Sequence, residues 1–321
     1  MTQLVTIGVT AFNAQSTIGK AIASALSQDC AALEIIVVDD ASTDGTWDIV
    51  WALAAEHPAI RTIRLSTNQG VGAARDRIVA EARGDFICFF DDDDISAPER
   101  VRLQVERIVQ YEAEFAHNAP VICHTARRQI QPDGHKRVAP TMGTRTGVPA
   151  PHGPAVARRI LSGAPLEDGY GALATCSQMA RTFTYRQISG FDAAFRRAED
   201  TDLCVRLALA GGHFVGLAEP LVTQTLTRTS DKSLELELRY KLMLIDKHRG
   251  VFVNESEYRY CRNWARLKHQ WLAGQRLQFG ANLAGTSLRH PLRTWQRLRL
   301  ALPNLGSNRA FSRFHRNSKA T

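Results

Sequence analysis

The sequence lacks the features of several large classes of protein. Its apolar runs, such as 35–38 and 86–90, fall far short of the about 20 residues that a transmembrane helix needs. No basic stretch precedes the apolar residues of the opening "MTQLVTIGVT", so a secretory signal peptide is not expected. The six cysteines form neither a CxxC pair nor a Cys/His zinc spacing, which indicates a reduced, cytoplasmic protein.

Acidic residues are missing from the last part of the chain. Residues 258–321 contain 13 Lys and Arg but no Asp or Glu, whereas residues 1–257 contain 27 basic and 32 acidic residues. An acidic body with a basic tail indicates an anionic partner for the tail, either a membrane surface or a nucleic acid. Since no nucleic-acid-binding fold is recognisable, no nucleic acid is expected.

Within this tail, residues 289–303 resemble a basic amphipathic helix. Arg289, Arg293 and Arg297 recur at steps of four beside a parallel apolar stripe. The stripe consists of Leu288, Leu292, Trp295 and Leu298. Helices of this kind lie flat on anionic membranes, which predicts a peripheral position at the inner face of the cytoplasmic membrane. The alternative is that the stripe packs on the catalytic domain and the arginines are solvated.

The first 115 residues alternate between strand-like and helix-like segments. Strands are predicted at 4–10, 33–40, 60–66 and 85–90, and helices at 16–26, within 42–56, at 70–82 and at 97–115. Ser16 is the predicted N-cap of the first helix. Alternation of this kind predicts an α/β fold, with a parallel sheet and helices on both faces.

The order is harder to read in the rest of the chain. Residues 121–138 are predicted to form a hairpin through Pro132, Asp133 and Gly134, and residues 139–170 to be mostly loop. From about residue 232 onward the pattern predicts helices.

Four aspartates, Asp91 to Asp94, directly follow the apolar strand that ends at Phe90. Adjacent carboxylates repel, so the run is either a solvated acidic turn or the site of a divalent cation. Asp39 and Asp40 end another predicted strand. Because ligands gather at the carboxyl ends of parallel strands, both groups of acids can face one crevice.

Three other motifs have interpretations that their residues favour or exclude. Gly70 and Gly72 are followed by Arg75, where a dinucleotide-binding fingerprint needs Gly or Ala, so a tight turn is favoured, with Arg75 reaching a phosphate. A haloacid-dehalogenase phosphatase motif is disfavoured because Ile95 stands where Thr or Val is needed. The calcium loop of an EF-hand is excluded because Ser96 and Arg102 replace its Gly and Glu.

A later block, "SGFDAAFRRAEDTDLCVRLALAGG" at 189–212, places Glu199 and Asp200 at the start of a predicted helix. Acids in this position ordinarily favour the helix dipole, so capping alone would explain them. A functional role for both acids is indicated only when this block is considered together with three earlier blocks of the sequence.

The blocks "VTIGVTAFNA", "LEIIVVDDASTDGTWDIV", "NQGVGAARDRIVAEARGDFICFFDDDDISAPERV" and "GFDAAFRRAEDTDLCVRLALAGG" occur in the order found in family 2 glycosyltransferases. The chain resembles this family over residues 4–215. The resemblance implies the GT-A fold of nucleotide-diphospho-sugar transferases, with a central, mainly parallel sheet flanked by helices, followed here by a helical basic C-terminal region. The expected catalytic domain is 1–228, with a nucleotide-sugar half to about 125, and the C-terminal region is 229–321.

The resemblance also assigns roles to individual residues. Asp200 would be the general base, and Asp93, with Asp91, would bind Mg²⁺ or Mn²⁺ in a DxD motif. The residues expected to bind the nucleotide sugar are Thr10, Phe12, Asp39, Arg75, Asp91 and Asp92. Among them, Phe12 would lie against the base, and Asp39 would accept a hydrogen bond from it, which suits uracil.

Departures from the family pattern are few. Asp76 stands where the family commonly has Asn, and Asp92 fills the variable middle position of DxD. A Q-x-x-R-W motif, typical of processive membrane-embedded synthases, is missing after the Glu199–Asp200 pair. The family therefore implies a transferase that adds one sugar at a time to a saccharide or lipid-linked acceptor.

Two alternatives of other kinds remain open. A nucleotidyltransferase of similar fold would want a G-x-G-T-R loop after the first strand, where this chain has "TAFNAQS". A non-catalytic nucleotide- or sugar-binding protein would not need both the DxD motif and the Glu199–Asp200 pair.

Overall fold

Four strands near the start of the chain lie side by side in parallel, as the sequence pattern predicts. They are β1 (Val5–Ala11), β2 (Leu33–Asp39), β3 (Ile60–Arg64) and β4 (Phe86–Asp91), in the spatial order β3-β2-β1-β4. β1 is buried along its whole length, which explains its nearly continuous apolar sequence. The computed structural model describes residues 3–131, 133–225 and 233–301.

The sheet continues beyond β4 with strands of both directions. These strands are β5 (Asp94–Ser96), β6 (Val121–Ile130), β7 (Lys136–Ala139), β8 (Gln178–Arg181) and β9 (His213–Thr225). β8 is antiparallel to both β4 and β6, whereas β6 and β9 are parallel. The α/β class is therefore confirmed, while parallel pairing throughout holds only for the first four strands. β6 and β7 form the predicted hairpin, although Pro132 of its turn lies outside the described residues.

Helices cover this sheet and follow the predicted positions in its first half. The helices of this part are α1 (Ile18–Leu26), α2 (Thr46–Glu56), α3 (Val71–Glu81), α4 (Arg100–Tyr111), α5 (Pro154–Ser162), α6 (Thr182–Gln187) and α7 (Glu199–Leu209). The prediction for Ser16 was wrong, because Thr17 precedes α1 and makes no side-chain capping bond. α5 lies within residues 139–170, which were predicted to be mostly loop. The sequence pattern does not predict this helix because glycines and prolines around it obscure its short apolar pattern.

The C-terminal region is helical, as expected. It contains α8 (Leu234–Lys247), α9 (Glu255–Leu272), α10 (Arg276–Arg289) and α11 (Pro291–Ala301). The chain divides into two compact units, of which the first holds the described residues up to 159 and 165–225, and the second holds 160–164 and 233–301. The predicted boundary at 228/229 lies outside the described residues. None of the described helices combines the length and the apolarity that crossing a bilayer requires.

Candidate active site

The four consecutive aspartates form a tight turn between β4 and β5 at the carboxyl edge of the sheet. Asp91 ends β4, where it lies opposite Thr10 of β1, and Asp94 begins β5. The carboxylate of Asp92 accepts a hydrogen bond from the backbone N–H of Phe12 (3.0 Å). The aspartate turn is therefore tied to the loop after β1, which carries Phe12, one of the residues expected to bind the nucleotide.

Asp39 presents a buried carboxylate with one oxygen still available. Its Oδ2 accepts from the backbone N–H of Ser42 (3.1 Å) and pairs with Arg64 Nε (3.3 Å). Its Oδ1 is buried and has no hydrogen-bond partner among the described residues. A buried acceptor of this kind is costly unless a donor reaches it, so Oδ1 is suited to receive an N–H from a ligand.

Hydrogen bonds between two loops fix the surroundings of Asp39. The Ser42 hydroxyl accepts from the backbone N–H of Asn13 (2.9 Å), and the Thr46 hydroxyl accepts from that of Ala14 (2.7 Å). Phe12, the first residue after β1, has 40% of its surface exposed. The loops after β1 and β2 therefore hold an open aromatic side chain near a buried acceptor, as a nucleobase site requires.

Asp40, which follows Asp39, has a structural task. Its two carboxylate oxygens accept from the backbone N–H groups of Gln69 (2.7 Å) and Gly70 (2.8 Å). Gly70 precedes α3 with a φ of 91°, a conformation that glycine adopts easily. The expected tight glycine turn at this junction is confirmed.

Arg75 connects the aspartate turn to the start of α7. Its guanidinium is 5% exposed and pairs with Asp91 through Nη2 (2.9 Å) and with Glu199 through Nη1 (2.5 Å). Burial opposes the charged form of Arg75, but the carboxylates of Asp91 and Glu199 raise its pKa. The predicted contact of Arg75 with a phosphate stays a prediction, since both terminal nitrogens already serve these carboxylates.

Glu199 and Asp200 begin α7 and have different environments. Burial raises the pKa of Glu199 to about 7, although the Arg75 guanidinium opposes this shift. Asp200 is partly exposed, and its Oδ1 accepts from the backbone N–H of Thr201 (2.6 Å) and from the Thr201 hydroxyl (3.0 Å). Because Arg75 joins Glu199 to Asp91, the start of α7, which carries Asp200, is held beside the aspartate turn.

Three potential cation ligands converge beside this turn. One ligand atom each of Asp91, Asp94 and Cys176 lies within 4.8 Å of the others. Asp94 is 3% exposed, and burial together with Asp91 and Asp93 raises its pKa to about 8. Burial and the same two neighbours also raise the pKa of Asp92 to about 7. A concentration of carboxylates that resist ionisation is what a divalent cation would relieve.

Comparison with known proteins identifies the family. The family described as Glycosyl transferase family 2 matches residues 6–160. The protein named "Putative glycosyltransferase EpsE" of Bacillus subtilis (strain 168) is 30% identical over 215 residues, or 65% of this chain and 68% of EpsE. The chain belongs to glycosyltransferase family 2.

Two other relatives of this family 2 glycosyltransferase match over shorter stretches. The succinoglycan biosynthesis protein ExoO of Rhizobium meliloti (strain 1021) is 41% identical over 112 residues, which are 35% of this chain and 32% of ExoO. The UDP-Glc:alpha-D-GlcNAc-diphosphoundecaprenol beta-1,3-glucosyltransferase WfaP of Escherichia coli is 33% identical over 116 residues, which are 36% of this chain and 45% of WfaP. The matched part is thus less than half of either relative.

Solved structures agree over nearly the whole chain. S. aureus TarS 1–349 in complex with UDP-GlcNAc superimposes with a TM-score of 0.56 at 17% identity, covering 98% of this chain and 92% of that one. The mannosyltransferase PcManGT of Pyrobaculum calidifontis, in complex with GDP-Man and Mn²⁺, gives 0.58 at 15% identity, covering 97% and 84%. At such identities the likeness concerns the fold, and it confirms the expected GT-A type.

Sequence reasoning about this glycosyltransferase missed three participants in the site. The sequence pattern gives Glu199 a place only in the Glu199–Asp200 pair, assigns no role to Asp94, and does not distinguish Cys176 from the other cysteines. The aspartate run already signalled Asp94. The pairing of Arg75 with Glu199 and the approach of Cys176 are tertiary contacts that no local pattern reports. Asp93 is not part of the converging group, so its direct coordination of a cation stays a prediction.

Proposed function

We propose that this protein transfers one sugar from a nucleotide-diphosphate donor, UDP-linked, to a hydroxyl group of a saccharide or lipid-linked acceptor, with inversion at the anomeric carbon. The product would belong to a surface polysaccharide or glycolipid of bacterial type. The observation that supports this most is the Arg75 bridge, because it brings the Glu199–Asp200 pair to the aspartate turn. A leaving-group site and a base site on neighbouring elements are what a single displacement needs.

The choice of UDP rests on the available oxygen of Asp39. Uracil carries an N3–H that can donate to Asp39 Oδ1, while the partly exposed ring of Phe12 can lie against the base. Thr10, near the end of β1 and opposite Asp91 of β4, would line the same nucleotide site. The names of WfaP and of the TarS complex, which mention UDP-Glc and UDP-GlcNAc, favour the same donor class.

The carboxylates of the aspartate turn fit Mg²⁺ or Mn²⁺. Both ions prefer hard oxygen ligands, and Asp91 and Asp94 bring buried or half-buried carboxylates within 4.8 Å of each other. We assign Asp91 and Asp93 as ligands, with Asp92 toward the ribose or the metal-bound waters. When bound, the cation would offset the negative charge of the diphosphate leaving group. The Mn²⁺ complex of PcManGT shows that a protein of this fold takes such an ion.

Asp200 is the proposed general base. Its carboxylate would accept the proton of the acceptor hydroxyl while that oxygen attacks the anomeric carbon from the face opposite the diphosphate. The bond between the anomeric carbon and the diphosphate oxygen breaks in the same step, so the configuration inverts. Glu199 and Arg75 do not touch the reacting atoms in this scheme; they fix the start of α7 against β4.

The acceptor is proposed on less direct grounds. WfaP is named for a diphosphoundecaprenol-linked acceptor, which is a lipid. A lipid-linked acceptor would place the protein peripherally at the inner face of the cytoplasmic membrane, in agreement with its basic C-terminal region.

The first test is release of nucleotide diphosphate from a panel of nucleotide sugars, with Mn²⁺ or Mg²⁺ and then with a chelator. We expect release from a UDP-sugar that is lost on chelation and in Asp93→Ala. With a saccharide acceptor, Asp200→Asn should reduce turnover by about 10²- to 10⁴-fold without weakening UDP binding. The matched control is Asp48→Asn, an exposed acid in the first turn of α2, which should keep full activity.

Unchanged turnover in Asp200→Asn would contradict the assignment of the base. If no donor released its nucleotide and calorimetry also detected no metal-dependent binding of UDP, the transferase proposal would fall. In that case the aspartate turn would be an acidic loop.

A further inference from the structure

α11 exposes apolar side chains and buries polar ones, which is the reverse of an ordinary surface helix. Leu292 and Trp295 are 77% and 59% exposed, whereas Thr294 is buried and Arg293 is partly buried. Arg297 is also partly buried, and its guanidinium lies over the ring of Trp264 in α9, 5.9 Å from the ring centroid. The helix thus turns arginines toward its neighbours and presents an apolar face outward.

α10 also has an exposed apolar side. Leu277 and Leu288 are 93% and 85% exposed, and Ala281 and Ala284 between them are exposed as well. The spacing of these four residues places them on one side of a helix. Together with Leu292 and Trp295 of α11 they form what we call the outer strip.

An exposed strip of this kind calls for a partner. A helix on the surface of a globular domain buries its apolar face, whereas the large side chains of the outer strip remain uncovered by the described residues. Leu298, at 38% exposure, borders the same face.

The charge around the strip identifies the partner. α10 and α11 contain no acidic residue, and residues 258–321 as a whole contain none. Arg289 and Arg299 are exposed at the border of the strip, and the Arg299 guanidinium lies 5.7 Å from the centroid of the Trp295 ring. Apolar side chains, a tryptophan and flanking arginines are the combination that inserts at an anionic lipid surface. A second copy of the chain fits less well, because two such strips would bring like charges together.

We propose that the outer strip lies flat on an anionic lipid bilayer. Leu288, Leu292 and Trp295 enter the boundary between headgroups and acyl chains, and Arg289 and Arg299 bind lipid phosphates. This extends the proposed function, because a lipid-linked acceptor would reside in the same bilayer. The binding itself requires neither donor nor acceptor.

The test is co-sedimentation of the full chain with vesicles of phosphatidylcholine alone or mixed with phosphatidylglycerol, without nucleotide and at low and high salt. We expect binding to the mixed vesicles that weakens at high salt. The variant Leu288→Ser/Leu292→Ser/Trp295→Ser should bind at least about tenfold more weakly, as should Arg289→Gln/Arg299→Gln. Release of nucleotide diphosphate without acceptor should be unchanged in both variants.

The matched control is Trp51→Ser/Phe183→Ser/Val253→Ser, which removes apolar side chains that are 61%, 70% and 66% exposed elsewhere on the surface. It should bind vesicles like the wild type. Equal binding by the outer-strip variant and this control would overturn the proposal. The proposal would also be overturned if the wild type did not bind anionic vesicles but formed an oligomer, and if the outer-strip variant were monomeric. Vesicle binding without transferase activity would keep this proposal and refute the proposed function, and the reverse result would do the opposite.

Discussion

At the scale of single residues, two adjacent carboxylates have different tasks. Asp39 keeps one buried oxygen without a described partner, whereas both oxygens of Asp40 accept backbone N–H groups of the turn before α3. The sequence places both at the end of β2 and cannot tell which of them faces a ligand. Only the hydrogen bonds separate Asp39, the proposed recognition residue, from Asp40, which holds the turn before α3.

Paired substitutions test this difference. Asp39→Asn should weaken UDP binding by about tenfold to a hundredfold, because a hydrogen bond to a charged group contributes about 1.5–3 kcal/mol. Asp40→Asn should leave the affinity for UDP nearly unchanged and lower the free energy of unfolding by about 1–3 kcal/mol, because its amide cannot accept both N–H groups. Calorimetry with UDP and urea unfolding measure the two effects. Equal affinity for UDP in both variants would show that Asp39 does not bind the base.

Arg75 provides a second prediction at this scale. Arg75→Gln removes the positive charge between two largely buried carboxylates, so we expect the free energy of unfolding to fall by about 3–5 kcal/mol. Arg75→Gln/Glu199→Gln should recover part of this loss, because one of the two unpaired charges is gone. Urea unfolding of the single and double variants measures the recovery. A double variant less stable than Arg75→Gln would contradict the pairing.

At the scale of elements, the sequence predicts the part of the fold that lies in its first 115 residues. β2 and β4 are buried apolar segments that end in aspartate, so the sequence marks their carboxyl ends; β1 is buried as well, whereas β3 is only partly buried and contains two arginines. The short strands β5 and β8 have no such pattern, and their antiparallel pairing depends on contacts with β4, β6 and β9. The acids at the carboxyl ends of β2 and β4 were therefore located by pattern, while Cys176 was not.

The C-terminal helices show a second limit of the pattern. The predicted helix at 289–303 is interrupted at His290, between α10 and α11, and residues 302 and 303 lie outside the described part. Periodicity correctly separates the leucines from Arg293 and Arg297. It cannot tell which of the two faces points inward, because that depends on partners such as Trp264.

The turn after α6 offers a prediction at the element scale. Gly190 is buried with a φ of 57°, and a methyl group there would overlap the Asp76 carboxylate, which accepts the backbone N–H of Phe191 (2.6 Å). Gly190→Ala should lower the free energy of unfolding by about 2–4 kcal/mol, from backbone strain together with overpacking. Gly147→Ala is the control, because it shares the positive φ (70°) and has open space around it. Gly147→Ala should lower the free energy of unfolding by about 1 kcal/mol. Equal decreases in the two variants would show that the contact with Asp76 does not contribute.

At the scale of the whole molecule, the acidic turn links stability to pH and to cations. The pKa values of Asp92 and Asp94, about 7 and about 8, lie above the ordinary value near 4 of an unfolded aspartate. The native state therefore holds protons that the unfolded state has released. The stabilisation is complete below about pH 4 and is lost as the pH rises through these pKa values.

Thermal unfolding tests this linkage. We expect the Tm of the protein in chelator to fall between about pH 4 and pH 8, and Mn²⁺ to raise Tm more at the higher pH, because the cation replaces protons on the same carboxylates. When its concentration is a hundred times its dissociation constant, the cation should increase the free energy of unfolding by about 2.7 kcal/mol. Asp94→Asn should flatten the pH dependence, whereas Asp133→Asn, at an exposed site, should not. A Tm that rises with pH in chelator would contradict the raised pKa values.

The Arg75 bridge also restricts how the sequence can change over time. It joins Asp91 and Glu199, which come from distant stretches of the chain, so a neutral residue at position 75 leaves two largely buried negative charges behind. Asp91 has little freedom to change if it serves the donor, which makes Glu199 the compensating position. Among many relatives, substitutions of Arg75 and of Glu199 should therefore occur together, and positions 75, 91 and 199 should covary.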